Sequence, residues 1–407
     1  MKHSSSPRAL ILCDLVGPFG GTESYWARVV PELQRSGVNV VVQARRVDES
    51  EAFGVRAQRV VWGNDDEPSV DSAAEVVRAT VASHKPDVVL VSNVFDIGVI
   101  IAARAAPRMV VRLHDHRMFC PQGDRYFPHF HAACERPMGN GCIVNAVARG
   151  CAAGLSTKTI RLLRAREALR DAIMMADAVV VSSQFMARTC VENGIDAERI
   201  AVIPPPWSPE SAAFPHLSLP KERRILFSGR LVPNKGLASL INAVSKITPE
   251  LRPQIDVAGS PTREVPRLVA LARRNRVSLN ILGWLEGDQM NDAIDRARAV
   301  AVPSLSPEPF GLTGIEAFVR GRPVVAYASG GINEWLGRGG IAVPPGDENK
   351  LAAAIVEILD DSHWPLFARH AHRQAASYTA SNHAAQLLEA CRLNNLDSLN
   401  SLRISKT

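Results

Sequence analysis

Four charged side chains in the second half of the chain, two acidic and two basic, are of types that can grip vicinal hydroxyls and a diphosphate. Glu308 and Glu316 flank Pro309-Phe310-Gly311-Leu312-Thr313-Gly314-Ile315, a stretch that follows a β-branched run and opens into helical periodicity at about Gly311. Two carboxylates at one crevice suit vicinal hydroxyls. The amides of Phe310, Gly311 and Leu312 add an anion or hydroxyl site, because the first N–H groups of a helix have no partner inside it. Glycine at 311 permits close backbone approach. Acidic residues near a helix start also serve simply as dipole partners, so this stretch alone leaves both readings open. Further upstream, Ile225-Leu226-Phe227-Ser228-Gly229-Arg230-Leu231-Val232-Pro233-Asn234-Lys235-Gly236 takes a strand into a loop with two cations. Arg230 supplies a planar donor fork and Lys235 a mobile point charge, a complementary pair for a diphosphate. Taken alone they could equally be solvated loop cations.

The first half carries a different glycine loop, Gly17-Pro18-Phe19-Gly20-Gly21-Thr22-Glu23, with Thr22 as a candidate N-cap. It does not have the G-x-G-x-x-G order of dinucleotide-binding turns, which argues against a dehydrogenase. His114-Asp115 ends another strand and places an imidazole at the same sheet edge. Beyond Phe119, Cys120, Cys134, Cys142 and Cys151 lie in a loop-rich insertion with His116, His129 and His131 nearby. Their long, irregular spacings differ from the paired C-x2-C of zinc ribbons. A structural metal and reduced thiols in a loop are the two readings. The segment from Lys158 to Arg170 has arginines at 161, 164, 166 and 170 among apolar residues, which fits an ordinary surface helix or one that sits on a membrane.

These residues need a scaffold, and the rest of the chain supplies one. Its 407 residues exceed a single ordinary core and suit two domains, and 46% apolar with 22% charged residues is a globular balance. No apolar run is long enough to cross a bilayer and the N-terminus lacks a secretory pattern, so a cytoplasmic place is expected, with peripheral contact at the inner membrane face. The net charge of +6 is scattered rather than clustered and no nucleic-acid motif accompanies it. Seven cysteines, an odd number, point to reduced thiols.

β-branched runs recur at Ala9 to Leu15, Val38 to Ala44, Asp87 to Ser92, Met109 to His114 and Ala178 to Ser183. They recur again at Arg224 to Ser228, Ile255 to Gly259, Ser278 to Gly283, Ala299 to Pro303 and Pro323 to Tyr327. Helical stretches follow them, the pattern of parallel sheets with crossover helices. The expected fold is therefore α/β, two Rossmann-like doubly wound domains facing across a cleft. Pro204-Pro205-Pro206 cannot donate to a ladder or continue a helix, which makes 204–220 a linker between a first domain, 1–203, and a second, 221–377. The segment 378–393 is expected as a C-terminal helix packing back on the first domain, and 394–407 as a mobile tail.

At this point a resemblance becomes specific. Gly229-Arg230…Lys235-Gly236, then Val257-Ala258-Gly259, then Glu308 and Glu316 in an E-x7-E arrangement, then Gly321-Arg322-Pro323-Val324-Val325-Ala326, together resemble the family-4 glycosyltransferases of GT-B fold. The resemblance implies a metal-independent hexosyltransferase that moves a sugar, with retention, from a nucleoside-diphosphate sugar to a glycan or lipid-linked acceptor. Arg230, Lys235 and Gly229 would hold the diphosphate, with Gly20 and Gly21 facing it from the first domain. Glu316 would take the ribose, and Glu308 with the amides of Phe310, Gly311 and Leu312 the transferred sugar. His114 would orient that sugar or help pass the acceptor proton. Gly330-Gly331-Ile332-Asn333-Glu334 resembles the family's G-G-x-x-E turn, although Glu334 could equally cap a helix. No D-x-D tripeptide occurs, so neither a metal nor a cofactor beyond the donor is implied. A sugar-nucleotide epimerase of the same architecture, or a binding protein without turnover, are the rival readings.

Overall fold

The computed structural model describes residues 6–16, 25–47, 57–63, 71–151, 156–206 and 217–393. Gly20 and Gly21 with the rest of their loop, residues 207–216 of the linker, and the tail 394–407 lie outside the described residues.

In the first half, β1 (Arg8–Val16), α1 (Tyr25–Arg35), β2 (Asn39–Val47), β3 (Ala57–Arg59), α2 (Asp71–His84), β4 (Val88–Ser92), α3 (Ile97–Ala103) and β5 (Met109–Arg112) alternate strand and helix. An insertion then holds the short strands β6 (Tyr126–Phe127) and β7 (Ala132–Ala133) and the helix α4 (Gly141–Ala148). It is followed by α5 (Thr157–Ile173), β8 (Ala178–Val181), α6 (Gln184–Glu192) and β9 (Ile200–Val202). Seven strands form one sheet in the order β3-β2-β1-β4-β5-β8-β9, every pair parallel.

The second half repeats the plan with β10 (Arg224–Ser228), α7 (Leu237–Ser245), β11 (Gln254–Ala258), α8 (Val265–Arg274), β12 (Leu279–Gly283), α9 (Gly287–Arg296), β13 (Ala299–Val302), α10 (Leu312–Val319), β14 (Val324–Tyr327), α11 (Ile332–Leu336), β15 (Gly340–Val343) and α12 (Glu348–Ile358). The helices α13 (Trp364–Ala375) and α14 (Ala380–Cys391) close the described chain. The second sheet is parallel throughout in the order β12-β11-β10-β13-β14-β15. Together the two sheets are the expected pair of doubly wound α/β domains.

Each expected strand forms, and in the interior strands the apolar residues are buried on both faces as a crossover sheet requires, whereas β12 stands at an edge and is only partly buried. The edge strands β3, β9 and β15 and the small hairpin were not expected. They are only two to four residues long, too short for an alternating or β-branched run to stand out from its surroundings. In the first sheet one face packs Val77, Val99 and Leu169, and the other packs Trp26, Val29 and Leu33. The second sheet is covered by Leu240, Ile241 and Ile355 on one side and by Phe318, Trp335 and Ala371 on the other.

Although α14 follows the second domain, Ala384, Leu387, Leu388 and Cys391 enter the core of the first. Arg108 donates to the carbonyl of Ala390 at 2.9 Å. The buried His383 ring bridges Tyr25 Oη and the carbonyl of Pro204, at 2.6 Å each.

Strand order reverses between β1 and β4 and again between β10 and β13, and in doubly wound sheets the crevice at the carboxyl ends of such strands takes ligands. Two loops of the second domain meet there, residues 229–236 after β10 and 303–311 after β13. Gly236 permits the meeting: it has φ 77°, and a Cβ there would stand 1.8 Å from the carbonyl oxygen of Pro303.

Candidate functional site

Lys235 ends a single 3-10 turn, Pro233–Lys235, which the left-handed Gly236 terminates. Beneath it the carbonyl of Asn234 accepts the amide of Leu305 at 2.8 Å, tying the two loops backbone to backbone. Lys235 Nζ then reaches Glu308 Oε1 at 2.6 Å, and Ser304 Oγ donates to the same oxygen at 2.5 Å. Both bonds fall on Oε1, and Oε2 takes neither. Burial pushes the Glu308 carboxyl up, but the Lys235 ammonium and the Ser304 hydroxyl outweigh it and hold it below the ordinary carboxylate range. The sequence assigned Lys235 and Glu308 to different parts of a ligand. The structure makes them one ion pair.

Arg230 does not join that pair. It is 67% exposed and faces Asp124 of the first domain at 3.6 Å, a contact that high dielectric keeps weak. Gly229 lies at the turn, its amide bonded to the carbonyl of Ala258 at 3.0 Å. Glu316 is half-buried on α10 and has no ion-pair partner among the described residues. Gly311, at φ 94°, forms the N-cap of α10, and Leu312 is its first residue. Phe310 is buried, and its carbonyl accepts the indole Nε1–H of Trp335 at 2.5 Å. No sequence signal had marked Trp335.

Across the cleft, His114 Nε2 is 2.8 Å from Ser92 Oγ at the end of β4, and its ring meets that of Tyr25 edge-on. Burial, reinforced by the Arg112 and Arg117 guanidinium groups and by His383, holds its pKa well below 6.5. It is therefore a neutral imidazole, suited to orient a hydroxyl or take a proton rather than to act as a cation. Sequence reading had noted His116 only as a neighbour of the cysteines. It is 2% exposed and donates from Nε2 to the carbonyl of Pro307, at 3.0 Å, beside Glu308. Glu334 caps a helix, and the helix belongs to the other domain: its carboxylate accepts the amides of Gln184 and Phe185, at 2.6 and 2.7 Å, at the start of α6.

The four cysteines of the insertion line one cavity with Phe119, Arg125, Tyr126 and Phe127, all as free thiols. Among the described residues no group of three or more His, Cys, Asp or Glu side chains is placed to hold a metal ion. The arginines of α5 do not share a face. Arg161 and Arg164 are exposed, whereas Arg166 is buried with its guanidinium 4.8 Å over the Phe95 ring.

Burial pushes His116 down to about 4 and His383 down to about 3, in each case with Arg125 or Arg112 adding repulsion. Because both folded values lie below the ordinary 6.5, the unfolded chain takes up protons first as pH falls. Their contribution is complete above about pH 6.5. It is lost progressively on acidification, until the folded values near 4 and 3 are reached. Stability is expected to fall by roughly 2–5 kcal/mol between pH 7 and pH 4.5 from these two rings together. Urea midpoints at the two pH values measure it, and equal midpoints would show the rings are not held neutral.

The chain matches two family models in succession: "Glycosyltransferase Family 4" over residues 19–211 and "Glycosyl transferases group 1" over residues 222–361. It is 34% identical over 179 residues to glycogen synthase of Mycobacterium tuberculosis, covering 42% of this chain and 40% of that protein. It is 32% identical over 240 residues to D-inositol 3-phosphate glycosyltransferase of Stackebrandtia nassauensis, covering 53% and 54%. Alignment thus spans about half of these relatives' length. Among solved structures, HepE of Anabaena in complex with UDP superposes with a TM-score of 0.70 at 21% identity, over 97% of this chain and 100% of that one. Sucrose-phosphate synthase from Thermosynechococcus elongatus superposes with a TM-score of 0.69 at 20% identity, over 95% and 98%. With consecutive matches in both halves and two doubly wound domains facing one cleft, the chain belongs to the family-4 glycosyltransferases and has the GT-B fold.

Proposed function

We propose that this protein transfers a sugar, with retention, from a nucleoside-diphosphate sugar to a hydroxyl acceptor. The observation that carries the reading is the Lys235–Glu308 pair, set at the switch point of the second sheet with Ser304 behind it. Bond breaking at the anomeric carbon leaves an electron pair on the diphosphate. Lys235, Arg230, Gly229 and the helix start at Gly311 and Leu312 would stabilise that charge without reorganising. Glu308 and the amide of Phe310 would take the sugar hydroxyls, Glu316 the ribose, and Gly20 and Gly21 the diphosphate from the first domain. His114, neutral and oriented by Ser92, would position the sugar or receive the acceptor proton. HepE, known with UDP and with UDP-glucose, supports a donor of this class.

The acceptor is read as a growing glycan or a lipid-linked one, at the cytoplasmic face of a membrane. Val144 and Val147 of α4 are 64% and 63% exposed, and Arg161 and Arg164 of α5 are exposed nearby in the chain, a mixture that suits an anionic lipid surface. Among the described residues no helix is long and apolar enough to cross a membrane. Turnover is taken to need no divalent cation, which an excess of EDTA checks.

A thermal-shift panel of UDP-, GDP- and ADP-sugars tests the donor. A ligand present at 100 times its Kd stabilises the folded state by about 2.7 kcal/mol, a rise of several degrees. No shift with any of the three bases would remove the donor assignment, and a product of inverted anomeric configuration would remove retention.

A further inference from the structure

The loop that carries Glu308 reads Pro307-Glu308-Pro309-Phe310, and its two prolines have no N–H to donate. Its backbone must therefore be held chiefly through its carbonyls. All four accept a hydrogen bond, and the donors alternate between the domains. The carbonyl of Pro307 accepts from His116 Nε2 of the first domain at 3.0 Å. That of Glu308 accepts the amide of Gly331, in the second, at 2.8 Å. Pro309 accepts from Ser183 Oγ at 2.6 Å and Ser182 Oγ at 3.1 Å, again from the first domain. Phe310 accepts from Trp335 Nε1 of the second at 2.5 Å.

We propose that His116 and Ser182 are positioning residues that set the Glu308 carboxylate by gripping the peptide carbonyls on either side of it when the two domains close. The proposal rests on the reading of Glu308 as the group that meets the donor sugar. Three further observations support it. A carbonyl can only accept, so His116 Nε2 must carry the proton, which leaves Nδ1 as the bare nitrogen; Nδ1 is buried and, among the described residues, without a partner. The buried ring is thus spent on this one contact, and its T-shaped packing against Phe185 fixes its plane. Glu334 adds a third hook in the opposite direction, because it stands three residues beyond Gly331 and accepts the first amides of α6, the helix that Ser183 begins. Closure and the seating of Glu308 are then one event. In an open cleft the carbonyls of Pro307 and Pro309 would lose their first-domain donors together.

The test uses the full chain in two arms. Without ligand, hydrogen–deuterium exchange is followed at the amide of Gly331, which donates to the carbonyl of Glu308, in wild type, His116→Phe, Ser182→Ala and His116→Gln. Phenylalanine keeps the ring and removes the donor, while glutamine returns an N–H near the position of Nε2. His116→Phe is expected to speed exchange there about tenfold, for a loss of about one hydrogen bond. Ser182→Ala should act less, since Ser183 remains, and His116→Gln should recover most of the protection. In the second arm, kcat and donor KM are measured with whichever of UDP-, GDP- or ADP-glucose stabilises the wild type. His116→Phe is expected to lower kcat about 10- to 100-fold, because a carboxylate out of place by a fraction of an ångström loses its near-attack geometry, with KM changed by less than about threefold. Unchanged exchange and kcat in His116→Phe, with an active wild type, would overturn the proposal; so would His116→Gln behaving like His116→Phe. A wild type that transfers no sugar with any donor would overturn the functional reading instead, and the exchange arm would still report on the grip.

Discussion

Lys235→Met is expected to lower turnover by about 10²- to 10³-fold, the size of effect seen when one preorganised donor to developing charge is removed. Two losses combine. On the proposed reading the leaving diphosphate would forfeit a point charge, and the Glu308 carboxylate keeps only Ser304 as a hydrogen-bond partner among the described residues. Removing one member of a buried ion pair costs about 3–5 kcal/mol; with Lys235 22% and Glu308 12% exposed, about 2–4 kcal/mol is the fitting range. The carboxyl pKa should rise as well, since the ammonium is what chiefly opposes burial there. Glu308→Gln and the double variant complete the cycle. If Lys235 acted only by neutralising Glu308, the double variant would be no worse than Glu308→Gln alone. If it also meets the diphosphate, the double variant falls further. Turnover of Lys235→Met within threefold of wild type would remove both roles.

Trp335→Ala is expected to cost about 3–5 kcal/mol and to lower the Tm by about 6–20 °C. Trp335 is fully buried and its ring runs against Gly314, where a Cβ would come within 1.8 Å of it. The same ring packs edge-on against Phe318, with centroids 5.3 Å apart. Truncation would open a cavity beneath α10 and also release the carbonyl of Phe310. Stability and site geometry should therefore fail together, whereas Trp335→Phe should keep most of the packing and lose only the hydrogen bond. Calorimetry on both variants decides it, and a fall of less than 2 °C for the alanine variant would show that the indole is not what fills this space.

Much of the scaffold was legible because local signals and burial coincide. Ser156, Ser183, Asp347 and Thr379 each accept an amide at the start of a helix, as capping residues before apolar periodicity should. Each interior strand is a β-branched run because both faces of a crossover sheet are dry. The edge strand β3, Ala-Gln-Arg, carries no such run, as one side meets solvent, and so it had no signature.

The site divides along the same line. That an arginine, a lysine and a glutamate stand in loops at the carboxyl edge of a parallel sheet, with a second glutamate in the helix that follows, comes from residue order, since strand, turn and helix succeed one another locally. That Lys235 pairs with Glu308 across 73 residues while Arg230 turns to Asp124 is decided by which loops the strand order brings together. The contacts of His116, Ser182 and Trp335 left no mark in the sequence for a related reason. Their work is to satisfy backbone groups of a distant segment, and a carbonyl accepts equally from any donor that folding delivers to it. Sequence determined the chemistry available and the edge at which it stands. Tertiary structure alone decided which charges neutralise each other and which domain holds the carboxylate still, because both depend on separations that exist only once two sheets face the same cleft.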